Sequence, residues 1–145
     1  MRKLVLLVFG LSVLLLAAPV MTQEYYTEGT ISRVTLLKVK PGRFNAFMED
    51  LRDNIRPVWD EEKSQGLIMD YKVYLNSTTD TPQDWDVALA IQYKNYAALD
   101  GLVAKVQDLT LKRYGSKGAR QEALNKRVEN VEVVASRLMR EITLK

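Results

Sequence analysis

Two stretches of this chain alternate residue by residue, and that alternation restricts its fold more than any other feature. In 67–75, LIMDYKVYL, the residues Leu67, Met69, Tyr71, Val73 and Leu75 fall on one side, and Ile68, Asp70, Lys72 and Tyr74 on the other. In 85–93, WDVALAIQY, Trp85, Val87, Leu89, Ile91 and Tyr93 alternate with Asp86, Ala88, Ala90 and Gln92. A period of two is a strand period. The polar segment NSTTDTPQD between them makes an antiparallel pair the economical arrangement. Its tripeptide Asn76-Ser77-Thr78 is a glycosylation sequon that reads here as loop chemistry.

The flanking segments complete a plan. Residues 30–40, TISRVTLLKVK, are rich in β-branched side chains and stop at Pro41-Gly42, which predicts a first strand. Phe44, Phe47, Met48, Leu51, Ile55, Val58 and Trp59 recur every three or four residues, a helical stripe ended by Gly66. Pro57 interrupts it and predicts a kink or restart near Asn54–Pro57. A restart would put Asp60, Glu61 and Glu62 in a first turn, as a solvated acidic turn. Residues 95–111 predict a second helix burying Leu99, Leu102, Val103 and Val106. Residues 119–131 predict a third, more polar one with Ala123, Leu124, Val128 and Val131 inward, and 133–144 a last strand. The order β-α-β-β-α-(α)-β is an α+β, ferredoxin-like plan, with helices on one face of an antiparallel sheet. A length of 145 residues without repeats or low-complexity linkers suits one domain.

Residues 1–22, MRKLVLLVFGLSVLLLAAPVMT, have a basic start, an apolar run from Leu4 to Ala18 and small residues after it. This is the layout of a secretory signal. The expected organisation is therefore a signal peptide over 1–22, an N-terminal extension over 23–29 and a folded domain over 30–145. The expected location is periplasmic or secreted, with no stable membrane span after cleavage. The competing reading is a retained anchor, because Leu4 to Met21 is 18 residues, near the lower limit for a span. No cysteine follows the run, so a lipoprotein anchor is excluded.

The chemistry is bounded by two absences: the chain has no histidine and no cysteine. Ser-His-Asp and Cys-His catalysis are excluded within the chain. So are the usual zinc sites, haem held by His or Cys, and cysteine-ligated iron–sulfur clusters. Any catalysis falls to carboxylates, Lys, Arg, Tyr, Ser, Thr or an oxygen-ligated hard metal, and no metal site and no cofactor is expected. The net charge of +3 also misleads: without Arg2 and Lys3, 19 basic side chains face 18 acidic ones. Lys112, Arg113, Lys117, Arg120, Lys126 and Arg127, around Tyr114, read as a solvated helix face, and nucleic acid is not an expected partner.

The element order, Val39-Lys40-Pro41-Gly42 before the first helix, and Trp85 to Tyr93 leading through Asn95-Tyr96 into the second, resemble the dimeric α/β-barrel superfamily. Antibiotic-biosynthesis monooxygenases, EthD-like and NIPSNAP-like proteins belong to it, as does an uncharacterised group of exported bacterial proteins, which the chain also resembles. The resemblance covers about residues 30–145. It implies a homodimer in which two ferredoxin-like sheets meet face to face and enclose a barrel-like interior. Many members use a histidine, which this chain does not have.

If Asp70, Lys72 and Tyr74 share a face with Asp86, Ala88, Ala90 and Gln92, small alanines leave room beside polar groups, as in a ligand pocket. Arg33 on the first strand and Arg137 or Arg140 on the last would add charge. Some cofactor-free monooxygenases of similar fold use Asn, Trp, Tyr and Arg, which here points to Asn54, Trp59, Tyr74 and Arg33. The candidate ligand-binding set is thus Arg33, Asn54, Trp59, Asp70, Lys72, Tyr74, Asp86, Gln92 and Arg140, with no catalytic residue assigned. The expected function is an exported homodimer binding a small organic molecule in a sheet-lined cavity. The alternatives are a cofactor-independent monooxygenase- or isomerase-like enzyme acting on an aromatic or quinol substrate, and a structural envelope module whose partner is another protein.

Overall fold

A computed structural model describes residues 25–78 and 80–145. The proposed signal segment lies outside the described residues. Strand β1 (Tyr26–Val39) leads into helix α1 (Phe44–Asp50), a π-helical turn (Leu51–Ile55) and helix α2 (Arg56–Ser64). Strands β2 (Asp70–Leu75) and β3 (Val87–Tyr93) follow. A 3-10 turn (Tyr96–Leu99) then precedes α3 (Leu102–Tyr114), α4 (Lys117–Asn130) and β4 (Val131–Leu144). The four strands form one sheet in the order β2-β3-β1-β4, with every neighbouring pair antiparallel. This is the expected ferredoxin-like plan. β1 reaches back to Tyr26, so residues 26–29 are strand.

The sequence explains the boundaries. β1 ends at Pro41-Gly42, where Gly42 takes φ +74° and the Arg43 N–H donates to the Lys40 carbonyl at 3.0 Å. Gly66, at φ +69°, closes α2: its N–H bonds the Lys63 carbonyl while the Leu67 N–H reaches back to that of Glu62. This paired closure leaves few orphan carbonyls. Ser116 caps α4 by accepting the Ala119 N–H at 3.1 Å.

The break expected near Asn54–Pro57 takes the form of the π-helical turn. The Arg56 N–H bonds the Leu51 carbonyl, five residues back. Pro57 has no N–H to offer the Asp53 carbonyl, and the Arg113 guanidinium on α3 donates to it instead. The helix restarts at Arg56, so Asp60, Glu61 and Glu62 fall beyond its first turn.

Register divides the sheet into two faces. Ile31, Leu37, Val87 and Tyr93 turn toward the helices and join Phe47, Leu51, Trp59, Ile68 and Leu102 in the core. The opposite face carries Ser32, Val34, Leu36, Ala88, Ala90 and Gln92, and no helix among the described residues covers it. The third helix departs from expectation. α4 buries no residue; Leu124 is exposed and Val128 is 66% exposed. Val131 is buried, but as the first residue of β4. Val103 is also exposed, because the left-handed Gly101 restarts the second helix at Leu102 and rotates its stripe.

Candidate functional site

The uncovered sheet face brings part of the sequence-derived set together. Tyr74, Ala88 and Leu36 lie in one cross-strand row, Lys72, Ala90 and Val34 in the next, and Asp70, Gln92 and Ser32 in a third. Arg137 stands opposite Val34 on the same face. Asp70, Lys72, Tyr74 and Gln92, with Ser32 and Ala90, line a shallow depression of about 110 Å³. Its polar groups are partly engaged. Gln92 Nε2 donates to Thr30 Oγ1 at 2.7 Å, and Lys63 Nζ donates to Asp70 Oδ1 at 2.8 Å. The Lys63 bond holds the Asp70 carboxyl below its ordinary range. Asp86 lies just outside β3, where it accepts from Lys38 Nζ at 3.0 Å and from the Val39 N–H at 2.7 Å. That carboxylate ties the β2–β3 loop to the first strand.

The other four candidates lie on the helix side. Arg33 aligns with Ile91, and its guanidinium is 6.0 Å from the centre of the buried Tyr93 ring. Burial pushes the Tyr93 hydroxyl pKa up. Arg140 sits 4.7 Å over the Tyr96 ring and pairs with Glu28. Asn54 and Trp59 come from the π-helical turn and α2. Asn54, Trp59, Tyr74 and Arg33 are therefore not gathered at one point, because Tyr74 belongs to the opposite face of the sheet.

Asn54 and Trp59 instead open onto a cavity of about 320 Å³ between the α1–α2 arm and helices α3 and α4. Its apolar walls include Ile55, Val58, Trp59, Val106 and Leu124, and its polar lining includes Glu62, Gln107, Thr110, Tyr114, Arg120 and Arg127. Trp59 is backed by Tyr71, with ring centres 5.0 Å apart.

Glu62 dominates the electrostatics of this cavity. Its side chain is only 4% exposed, and burial raises its pKa to about 7. Removing a carboxylate from water without a counter-charge disfavours its ionised form. Arg127, by contrast, is compensated. Its Nε donates to Asp50 Oδ2 at 2.6 Å, and Asn54 Nδ2 donates to Asp50 Oδ1 at 2.9 Å. Burial alone would lower the Arg127 pKa, but Asp50 and Tyr114 outweigh it and raise it. Glu62 therefore offers the cavity a carboxyl that changes protonation near neutrality, and Arg127 a fixed, neutralised pair.

Glu62 departs from the solvated-turn expectation for Asp60–Glu62. It stands seven residues after Ile55, four after Val58 and three after Trp59, so it continues the buried stripe. The basic segment also departs from a purely solvated face. Arg113 turns to the Asp53 carbonyl, Arg127 to Asp50, and Arg120 to the cavity.

No protein-family model matches the chain, and no curated protein does. Among solved structures it is similar to HapK from Hahella chejuensis, with a TM-score of 0.51 and 12% identity over 77% of this chain and 91% of that one. It is also similar to an EthD-family protein from Bacillus halodurans, with a TM-score of 0.47 and 13% identity over 77% of this chain and 98% of that one. A dimeric protein of unknown function and ferredoxin-like fold from Bacteroides fragilis gives a TM-score of 0.43 at 14% identity, over 82% of this chain and 100% of that one. The likeness to HapK shows a shared fold.

Proposed function

We propose that this protein binds a small organic molecule in the helix-side cavity, and that it does so as an exported homodimer. The observation that carries this reading is the cavity itself. Its volume of about 320 Å³, apolar walls and few inward polar groups match the usual make-up of a small-molecule site. Dimerisation is supported by the uncovered sheet face, where Val34, Leu36, Ala90 and Met139 present an apolar surface that a second sheet would bury. Export rests on the basic start and apolar run of residues 1–22.

Glu62 favours a second reading, a cofactor-independent proton-transfer enzyme of the isomerase kind. A carboxyl with a pKa of about 7 is matched to accepting and returning a proton at neutral pH. In that reading Glu62 takes a proton from a carbon acid in the cavity and returns it to the same molecule, so nothing else is consumed.

Native mass spectrometry with a panel of phenols, quinols and aromatic acids tests the site. The expected result is one bound molecule per chain, lost in Leu124→Trp, which fills the cavity, and kept in Tyr74→Ala on the opposite sheet face. Binding lost in Tyr74→Ala and kept in Leu124→Trp would move the site to the bare face. Deuterium incorporation into a bound compound in heavy water, abolished by Glu62→Gln, would establish the proton-transfer reading.

A further inference from the structure

We propose that the helix-side cavity takes its ligand as a small monoanion with a flat apolar body, Arg120 supplying the counter-charge and Trp59 the surface against which the body packs. The proposal rests on reading the cavity as a ligand site, and the charges around it give that ligand a sign. On α1, Asp50 is spent on Arg127 of α4. On α3, Arg113 is spent on the Asp53 carbonyl, and Tyr114 interacts with Arg127. On the sheet side, Arg33 stands over Tyr93. Two cavity-lining groups are left, Arg120 on α4 and Glu62 on α2. Among the described residues no carboxylate pairs with Arg120, and no cation pairs with Glu62.

These two groups do not satisfy each other. An arginine close to Glu62 would pull its pKa down, yet the shift is upward and burial causes it, with Tyr93 on β3 as the titratable group that faces it from the sheet. Arg120 and Glu62 both line the cavity, and no ion pair joins them. Arginine stays charged at every physiological pH, while Glu62 is largely neutral below about pH 7. In the protonated state the cavity has one unbalanced positive charge and one O–H donor. A carboxylate or phenolate placed between them satisfies both: it accepts from the Arg120 guanidinium and from the Glu62 O–H. A cation would face Arg120 uncompensated.

A bound anion must also raise the proton affinity of Glu62, because two like charges in one low-dielectric site repel. Binding then takes up protons, most of all where Glu62 is ionised in the free protein, and weakens as pH rises through about 7.

Isothermal titration with benzoate, its neutral analogue benzamide and its cationic analogue benzylammonium tests this on the unmodified chain at pH 6 and pH 8. Benzoate is expected to bind best and to lose about tenfold in affinity between the two. Titrations at pH 7 in buffers of different ionisation enthalpy should show net proton uptake. Arg120→Gln should weaken benzoate about tenfold or more and leave benzamide unchanged, and Arg120→Lys should recover much of the loss. Equal binding of benzoate and benzamide would overturn the anion proposal and leave the ligand site standing. So would preference for benzylammonium, or benzoate affinity that rises with pH. Failure of all three probes, together with every compound of the panel above, would overturn the site itself. The pH comparison and proton count use the unmodified protein, so the outcome does not depend on how the Arg120 variants fold.

Discussion

Glu62 shares three consecutive acidic positions with two neighbours that do ordinary surface work. Asp60 accepts the Tyr71 hydroxyl, and Glu61 accepts an amide hydrogen bond from Gln65. Glu62 differs by phase: one residue further round the helix, it enters the stripe made by Ile55, Val58 and Trp59. The native state holds its proton up to about pH 7, whereas an unfolded chain releases it near 4.5. Between those values the native state binds more protons than the unfolded one, so stability falls as pH rises through that window. The full loss above pH 7 is on the order of 3 kcal/mol. Thermal unfolding between pH 5 and pH 8 should therefore show a melting temperature that declines with pH in the wild type. In Glu62→Gln that decline should be largely absent, and the variant should be the more stable protein at pH 8. A flat wild-type profile would show that Glu62 is already compensated in solution. Residue type alone misled here, since three acids in a row read as solvent-exposed and only the helical phase separates one from the other two.

At the scale of elements, the π-helical turn joins the α1–α2 arm to α3. Pro57 removes one donor, the Asp53 carbonyl loses its partner along the helix, and Arg113 replaces it from the neighbouring helix. The replacement carries its own prediction. Arg113→Ala should cost about 1 kcal/mol in chemical denaturation. In a Pro57→Ala background, where residue 57 regains an N–H for that carbonyl, the same change should cost less. A coupling near zero in this double-mutant cycle would show that the two donors do not share the acceptor. Sequence patterns resolved the elements well where a single period governs. The alternation in 67–75 and 85–93 yielded both inner strands, and Pro41-Gly42 and Gly66 marked where a strand and a helix stop. They resolved α4 poorly, because Leu124 and Val128 have helical spacing without enough neighbours to bury them. The site was legible only in pieces for a related reason. Asn54 and Trp59 lie on the cavity, but Arg33 and Tyr74 belong to opposite sheet faces, and only the register of β1 on β3 and β3 on β2 fixes which residues align.

At the scale of the whole molecule, the fold leaves an imbalance. One sheet face is buried under α1–α3, while the other presents Val34 and Leu36 at its centre with Ala90 and Met139 beside them. Tyr74 stands at one side of it, 49% exposed, and Lys72 and Arg137 add charges to the same face. A face built of apolar and small residues with charges among them has the composition of an interface that must also stay soluble when uncovered. Two such faces meeting would bury the apolar rows of both copies and roof the depression beside Tyr74. Sedimentation velocity should then give a dimer for the wild type at micromolar concentration. Leu36→Arg places a desolvated charge opposite its own copy across a two-fold contact, where it has no partner. It should give a folded monomer with an unchanged far-ultraviolet circular dichroism spectrum, because residue 36 points away from the core that Ile31, Leu37 and Phe47 build. A wild-type monomer would leave the face open for a different protein, the envelope-module alternative. A Leu36→Arg dimer would place the interface elsewhere, with the exposed edge of β4 the next surface to change. The helix-side cavity stands on the opposite side of the sheet, so ligand binding by the Leu36→Arg monomer should match that of the dimer. Loss of binding on dissociation would show that the second subunit shapes the site.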